Sequence, residues 1–176
     1  MMDNLTLVIP AKNESESLPV VLKELEFLKV KVIVVIPTED YSTRQSIKDF
    51  NCKIIEEKNG RGYGCALRTG IEQVDTKFFC IFNADGSFDP LYLNNMYKTL
   101  NENKVDFIFC SRYEVNGGSD DDTFLTFIGN KIFTFLCNFL FKLNITDVLF
   151  TYVMGKTEKY KPLNLKSNNF SFCVEL

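Results

Sequence analysis

The 176-residue chain contains no histidine. That absence excludes Ser-His-Asp and Cys-His nucleophilic catalysis, histidine zinc sites, and histidine as a general base. Chemistry here must rest on carboxylates, Lys, Arg, backbone amides or a metal held by oxygen ligands. A basic surplus is lacking too: 20 Lys and Arg stand against 23 Asp and Glu, a net charge of −3, so there is no electrostatic footprint for nucleic acid. No CxxC pair occurs. The six cysteines, Cys52, Cys65, Cys80, Cys110, Cys137 and Cys173, are widely spaced and several lie in apolar runs. That usage fits buried, reduced thiols in a reducing compartment. The start, Met1-Met2-Asp3-Asn4, has no basic segment, so a signal peptide is not expected. No uninterrupted apolar run reaches about 18 residues, so no bilayer-crossing segment is expected either.

What is present reads as a soluble globular domain. The chain is 45% hydrophobic and 24% charged, and its length suits one domain spanning 1–176 that buries about 70% of its unfolded surface. Short apolar runs at 5–9, 31–36, 53–56, 78–83 and 107–111 predict strands, the first two ended by Pro10 and Pro37. Leu18, Val21, Leu22, Leu25 and Leu28 recur at helical spacing, with Ser15 or Ser17 as cap and Pro19 in the first turn. Further helices are predicted at 43–50, 62–74 and 90–102. This alternation predicts an α/β fold, a mostly parallel central sheet with helices on both faces. No internal repeat or low-complexity segment interrupts it.

Beyond Ser111 the pattern changes. The composition of 113–123, with Gly117-Gly118 and the acidic run Asp120-Asp121-Asp122, predicts a loop. The phenylalanine-dense stretch 124–143 predicts a helix whose polar residues Lys131, Thr134, Asn138 and Lys142 share one narrow stripe. Its apolar face is broader than a surface helix usually carries. Two readings stand: a helix buried between the sheet and later chain, or one lying at a membrane surface with Lys131 and Lys142 at headgroup level.

In open parallel sheets ligands bind at the carboxyl ends of strands. The segments following predicted strands are Pro10-Ala11-Lys12-Asn13-Glu14, the glycine-rich Asn59-Gly60-Arg61-Gly62-Tyr63-Gly64-Cys65-Ala66, and Asn83-Ala84-Asp85-Gly86-Ser87-Phe88-Asp89-Pro90. Each alone could be a simple turn. In this order and spacing, with Cys110-Ser111-Arg112-Tyr113, Ile145-Thr146-Asp147 and residues 170–175, they resemble the family 2 glycosyltransferases of the GT-A fold. The nearest branch looks like the dolichol-phosphate mannose synthase, or polyprenyl-phosphate sugar transferase, enzymes. The resemblance covers nearly the whole chain.

It implies transfer of a sugar, with inversion, from a nucleotide-diphosphate-sugar to an acceptor, most readily a polyprenyl (lipid) phosphate. It implies Mg²⁺ or Mn²⁺ as cofactor, since a divalent metal neutralises the leaving diphosphate and hard cations take carboxylate oxygens. Asp85 occupies the place of the family's Asp-x-Asp metal ligand, with Ser87 helping. Asn83 and Ala84 are expected to touch the nucleotide, and Pro10, Ala11, Lys12 and Glu14 to line the base and ribose pocket. Arg61 and Gly62 open a helix whose amides favour negative charge. Asp147 is expected to face the acceptor as base or orienting group, and Arg112 to clamp phosphate through its forked donors. For each a bland reading stands beside this, a turn or cap aspartate and a surface ion pair; Glu175 carries the same ambiguity as Asp147. A lipid phosphate needs no strong base, being already an anionic nucleophile.

Three departures from the family pattern stand out. The acidic residue after the second strand is Pro37, with Glu39 or Asp40 as substitutes after a shift. The first carboxylate of the Asp-x-Asp motif is Asn83, an amide without charge. A basic residue common just after Asp147 is missing, since Tyr152 is followed by Val153-Met154. Other readings are a catalytically weak sugar-nucleotide-binding module, or a transferase acting on a soluble or cell-envelope glycan. A dinucleotide oxidoreductase would place its glycines after the first strand; here they come near residue 60. A nucleotidyltransferase would want a glycine-rich signature there as well. The chain is expected to be cytoplasmic, peripheral at the inner membrane face, and truncated at Glu175-Leu176; whether it forms a homo-oligomer is left open.

Overall fold

The computed structural model describes residues 2–57, 62–102, 104–114, 117–118 and 123–176. Among these, six strands form one sheet: β1 (Leu5–Pro10), β2 (Lys31–Pro37), β3 (Lys53–Glu57), β4 (Phe78–Ile81), β5 (Phe107–Phe109) and β6 (Val153–Lys156). Their order is β3-β2-β1-β4-β6-β5. The first four run parallel, with Val8 opposite both Ile33 and Ile81. β6 is antiparallel to both β4 and β5. The expected α/β architecture is the one found.

The central strands are buried on both faces because their side chains alternate between two apolar layers. Leu5, Leu7, Ile9, Val34, Ile36, Phe78 and Cys80 pack with α1 (Ser17–Leu25) and α4 (Tyr92–Glu102). Val8, Ile33, Val35, Phe79 and Ile81 pack on the other face with Ala66, Leu67 and Ile71 of α3 (Tyr63–Glu72). Gly70 lets α3 press onto the sheet, since a Cβ there would overlap Val8 and come within 2.9 Å of Val35.

Several expectations need correction. Neither Ser15 nor Ser17 caps α1; Glu16 stands at that position without a side-chain cap, and the Ser17 hydroxyl donates to Glu14. The strand β6 was not anticipated, being four residues long and too short to show a period. It separates β5 from β4, so the fifth predicted strand lies at the far edge of the sheet. Cys65, Cys80 and Cys137 are buried, and Cys52, Cys110 and Cys173 are half-buried.

The largest correction concerns α5 (Phe124–Phe141), preceded by α2 (Tyr41–Ser46) and followed by α6 (Thr157–Tyr160) and α7 (Phe172–Glu175). It is not buried between the sheet and later chain: only Thr134 and Cys137 are buried. With a mean hydropathy of 1.5 over 18 residues it is long and apolar enough, by length and composition, to cross a membrane, although polar residues interrupt every apolar run. Asn130, Thr134 and Asn138 face the protein. Asn130 donates to the Tyr113 hydroxyl at 2.9 Å, Thr134 accepts from the Val148 N–H at 3.3 Å, and the Asn138 amide exchanges two bonds with the Ile145 backbone. Phe135 and Phe139, 67% and 74% exposed, point outward.

Candidate active site

The loop after β1 is held by the start of α2. Ala11 donates its N–H to the Val35 carbonyl at 2.9 Å. Asn13 takes a positive φ of 60°, and its N–H donates to Asp40 at 2.6 Å, while the Glu14 N–H donates to Thr43 Oγ1 at 2.9 Å. Asp40 is the N-cap of α2, accepting from the Thr43 N–H and the Ser42 hydroxyl, each at 3.1 Å. Burial pushes its carboxyl up, but the bonds from Asn13, Thr43 and Ser42 outweigh it and hold it below the ordinary range. Asp40 thus orders the loop after β1 from behind. The cleft wall at this strand end is formed by Pro37 and the buried Glu57 instead of Glu39 or Asp40.

The turn into α3 has a packing reason for its glycine. Gly62 has φ 109°, and a Cβ there would lie 2.6 Å from the Asn168 carbonyl. The C-terminal segment crosses this point: the Cys65 N–H donates to the Asn168 carbonyl at 3.0 Å, and Arg68 donates to the Leu165 carbonyl and the Asn168 side chain. One helix-start amide is therefore already satisfied by protein. Phe170, from the same segment, stacks on Tyr63 with ring centroids 4.9 Å apart.

After β4, a hydrogen-bonded chain fixes the Asn83–Ser87 turn. The Asn83 amide donates to Ser87 Oγ at 2.9 Å, and the Ser87 N–H donates to Asp85 Oδ1 at 2.9 Å. The Tyr63 hydroxyl lies 2.8 Å from Thr151 Oγ1 and donates to Asn83 Oδ1 at 3.4 Å. Beneath the turn Phe88 stacks on Tyr152 at 4.5 Å, and Tyr152 donates to the Asp89 carbonyl. Among the described residues no cluster of three or more acidic or sulfur ligands exists. Asp85 and Ser87 nonetheless offer only oxygen donors, and one backbone N–H leaves the carboxylate further acceptor sites. That donor set fits a hard divalent cation that completes its shell with phosphate oxygens and water.

On the opposite wall Arg112 grips Asp147. Nε and Nη2 donate to the two carboxylate oxygens at 2.8 and 2.9 Å, and the Arg112 N–H adds a third bond at 3.3 Å. Asp147 is 1% exposed, whereas Arg112 lines the cleft beside Phe150. Both oxygens of Asp147 are engaged, so the arrangement suits an orienting group rather than a proton acceptor. Glu175 likewise has a structural engagement. Burial opposes its ionisation, but backbone N–H bonds from Ser167 and Lys166, at 2.7 to 3.0 Å, hold its carboxyl below the ordinary range.

These walls enclose an open cleft of about 900 Å³ along the carboxyl ends of the strands. Residues 6–163 match the family model described as glycosyl transferase family 2. The chain belongs to this family. Its fold is similar to that of mannosyl-3-phosphoglycerate synthase from Rubrobacter xylanophilus, with a TM-score of 0.68 and 15% identity over 90% of this chain and 55% of that one. It is also similar to S. aureus TarS 1-349, with a TM-score of 0.63 and 16% identity over 98% and 54%. The chain thus spans about half the length of these solved structures, and at such identities the likeness is one of fold.

For a family 2 glycosyltransferase domain, the expected residues fall together closely. Pro10, Ala11, Lys12, Glu14, Gly62, Asn83, Ala84, Asp85, Ser87 and Arg112 all line the one cleft, and Asp147 stands behind Arg112. Arg61 lies outside the described residues. The sequence gives no signal for Phe150 or Thr151 and assigns no role in the cleft to Glu57, or to Tyr63 and Phe170 within their motifs, yet all five line it. Glu57 directly follows the predicted strand 53–56 and so carried a positional signal; Phe170 reaches the cleft only through the fold of a distant segment. Cys173 also lines it, its thiol pushed up to about 11 by burial, so at neutral pH it is a protonated, inert wall.

Proposed function

We propose that the cleft binds a nucleoside-diphosphate sugar and that the chain carries out sugar transfer, with inversion, to a polyprenyl (lipid) phosphate at a membrane surface. The observation that carries this reading is the joining of two features on one side of the molecule. The acceptor-side pair Arg112–Asp147 adjoins the segment 145–148 on which α5 docks by its polar residues, leaving its apolar side outward. A lipid chain lying along that side would bring its phosphate toward Arg112, whose guanidinium suits a phosphate. Asp147 aims that guanidinium into the cleft and balances its charge.

Asp85, with Ser87, would hold Mg²⁺ or Mn²⁺, which when bound neutralises the diphosphate as it departs. Pro10, Lys12 and Glu14 hold the nucleoside side, and the Asn83–Ser87 turn holds the phosphates. An oxygen of the acceptor phosphate bonds to the anomeric carbon as the bond to the diphosphate breaks on the opposite face, so no protein base is needed. On this reading the chain would act as a member of the polyprenyl-phosphate branch of its family, at the cytoplasmic membrane face.

The test is transfer from radiolabelled sugar nucleotides to polyprenyl phosphate in detergent, with NMR of the product anomer. Metal-dependent formation of an inverted sugar-phosphate lipid is expected. Label passing only to water-soluble or envelope glycan acceptors would replace the lipid reading. Tight donor binding without turnover would mark a sugar-nucleotide-binding module.

A further inference from the structure

Tyr63 is flanked by Gly62 and Gly64, and both glycines lie against the C-terminal segment. A Cβ on Gly62 would come within 2.6 Å of the Asn168 carbonyl, and one on Gly64 within 2.6 Å of the Ser167 carbonyl. This close approach seats the first turn of α3 and brings the half-buried Tyr63 ring onto Phe170, 16° from parallel. The hydroxyl at the far end of the ring reaches two other segments. It lies 2.8 Å from Thr151 Oγ1, ahead of β6, and donates to Asn83 Oδ1, after β4, at 3.4 Å. Burial pushes the phenol up, so it keeps its proton at neutral pH. A phenol has one hydrogen. Since that hydrogen goes to Asn83, the Thr151 hydroxyl supplies the one for the other bond. The direction then continues along the turn. Asn83 presents Oδ1 to Tyr63 and so turns Nδ2 to Ser87 Oγ at 2.9 Å, and the Ser87 N–H holds Asp85 Oδ1. Ser87 Oγ, accepting from Asn83, keeps its own hydrogen for another acceptor.

We infer that Tyr63 is a positioning residue for the donor diphosphate: its hydroxyl orients the Asn83 amide and, through it, the Ser87 and Asp85 oxygens that meet metal and phosphate. The inference rests on the donor-cleft reading above. An amide, unlike the carboxylate of the family motif, has two different ends. A carboxylate at position 83 would accept from Tyr63 and Ser87 alike and draw the Ser87 hydrogen inward. The Asn83 amide instead releases that hydrogen for a phosphate oxygen, provided a donor holds its carbonyl end. Tyr63 is that donor.

Calorimetric titration of the full chain in Mn²⁺ with GDP, UDP and dTDP, followed with whichever the parent binds most tightly, tests this. Tyr63→Phe keeps the ring and its stack on Phe170. It should weaken diphosphate binding about fivefold to tenfold, while the melting temperature stays within about 4 °C of the parent. Asn83→Ala should weaken binding by a similar factor. Both substitutions break the same relay, so the double variant should bind no more than about twofold more weakly than Asn83→Ala alone. Unchanged affinity in Tyr63→Phe overturns the inference. So does a larger fall in melting temperature, or a double variant whose losses multiply, since either would mean that Tyr63 acts through packing. Binding of none of the three diphosphates by the parent overturns the donor-cleft reading as well.

Discussion

Position 83 shows how a single side chain can keep a site's shape while changing its charge. The Asn83 amide still links Tyr63 to Ser87, and Ser87 in turn holds Asp85, but the turn carries one carboxylate where the family motif carries two. Asp85→Ala should therefore weaken nucleotide binding in Mn²⁺ by about tenfold or more and leave the metal-free affinity unchanged, by titration calorimetry. Equal affinities with and without Mn²⁺ in the parent would remove Asp85 from its role. Asp40 offers a second residue-scale prediction. Its folded-state carboxyl is held below the ordinary range, so it contributes stability above about pH 4 that fades as pH falls through its lowered value. Asp40→Asn can still cap α2 but turns a donor toward the Asn13 N–H, and should cost about 1 kcal/mol or more at neutral pH. Urea melts should show the gap narrowing toward about pH 3; a gap independent of pH would mean the charge is immaterial. Asp40 was visible in the sequence only as an acidic residue near the right place. That it points backward into a helix cap, leaving the cleft wall to Glu57, is a matter of backbone path that no residue pattern states.

At the scale of elements, the parallel core was legible because β-branched and apolar runs alternate with helical periods, and each run precedes a segment of the cleft. What was not legible involves chain distant in sequence. β6 adds only four residues to the sheet, and its position between β4 and β5 comes from long-range pairing. The glycine-rich turn was readable as a turn, yet its partner is the segment around Asn168. Gly62→Ala meets both a left-handed φ and a 2.6 Å approach to the Asn168 carbonyl, so a loss of about 1–3 kcal/mol is expected. The same variant should loosen the Phe170–Tyr63 stack and weaken nucleotide binding. Urea melts together with titration check both, and an unchanged melt would show that the C-terminal segment does not press on the turn.

Across the whole molecule, α5 turns the usual rule of surface helices around. Its spacing revealed a polar stripe and a broad apolar face, but periodicity cannot say which side faces the protein. The structure docks Asn130, Thr134 and Asn138 inward and leaves Phe124, Leu125, Ile132, Phe135, Phe139, Leu140 and Phe141 outward. An apolar surface of this breadth is unfavourable in water and calls for a covering phase. The polar bonds tie the helix along the domain, which suits a helix lying in the interface with its apolar side in the acyl boundary. Lys131 sits over the Tyr113 ring at 4.4 Å, at the edge of that side, where it can reach headgroups. Phe135→Ser together with Phe139→Ser removes two rings far from the hydrogen bonds that dock the helix. Liposome co-sedimentation of parent and double variant is expected to show a drop in binding of about tenfold or more, since each buried aromatic contributes roughly 1.5–3 kcal/mol. An unchanged melting temperature would confirm that the variant stays folded. If both proteins pellet equally, or neither does, membrane binding through this face is excluded. A dimer of the parent that the double substitution disperses, seen by light scattering, would assign the face to a second copy instead.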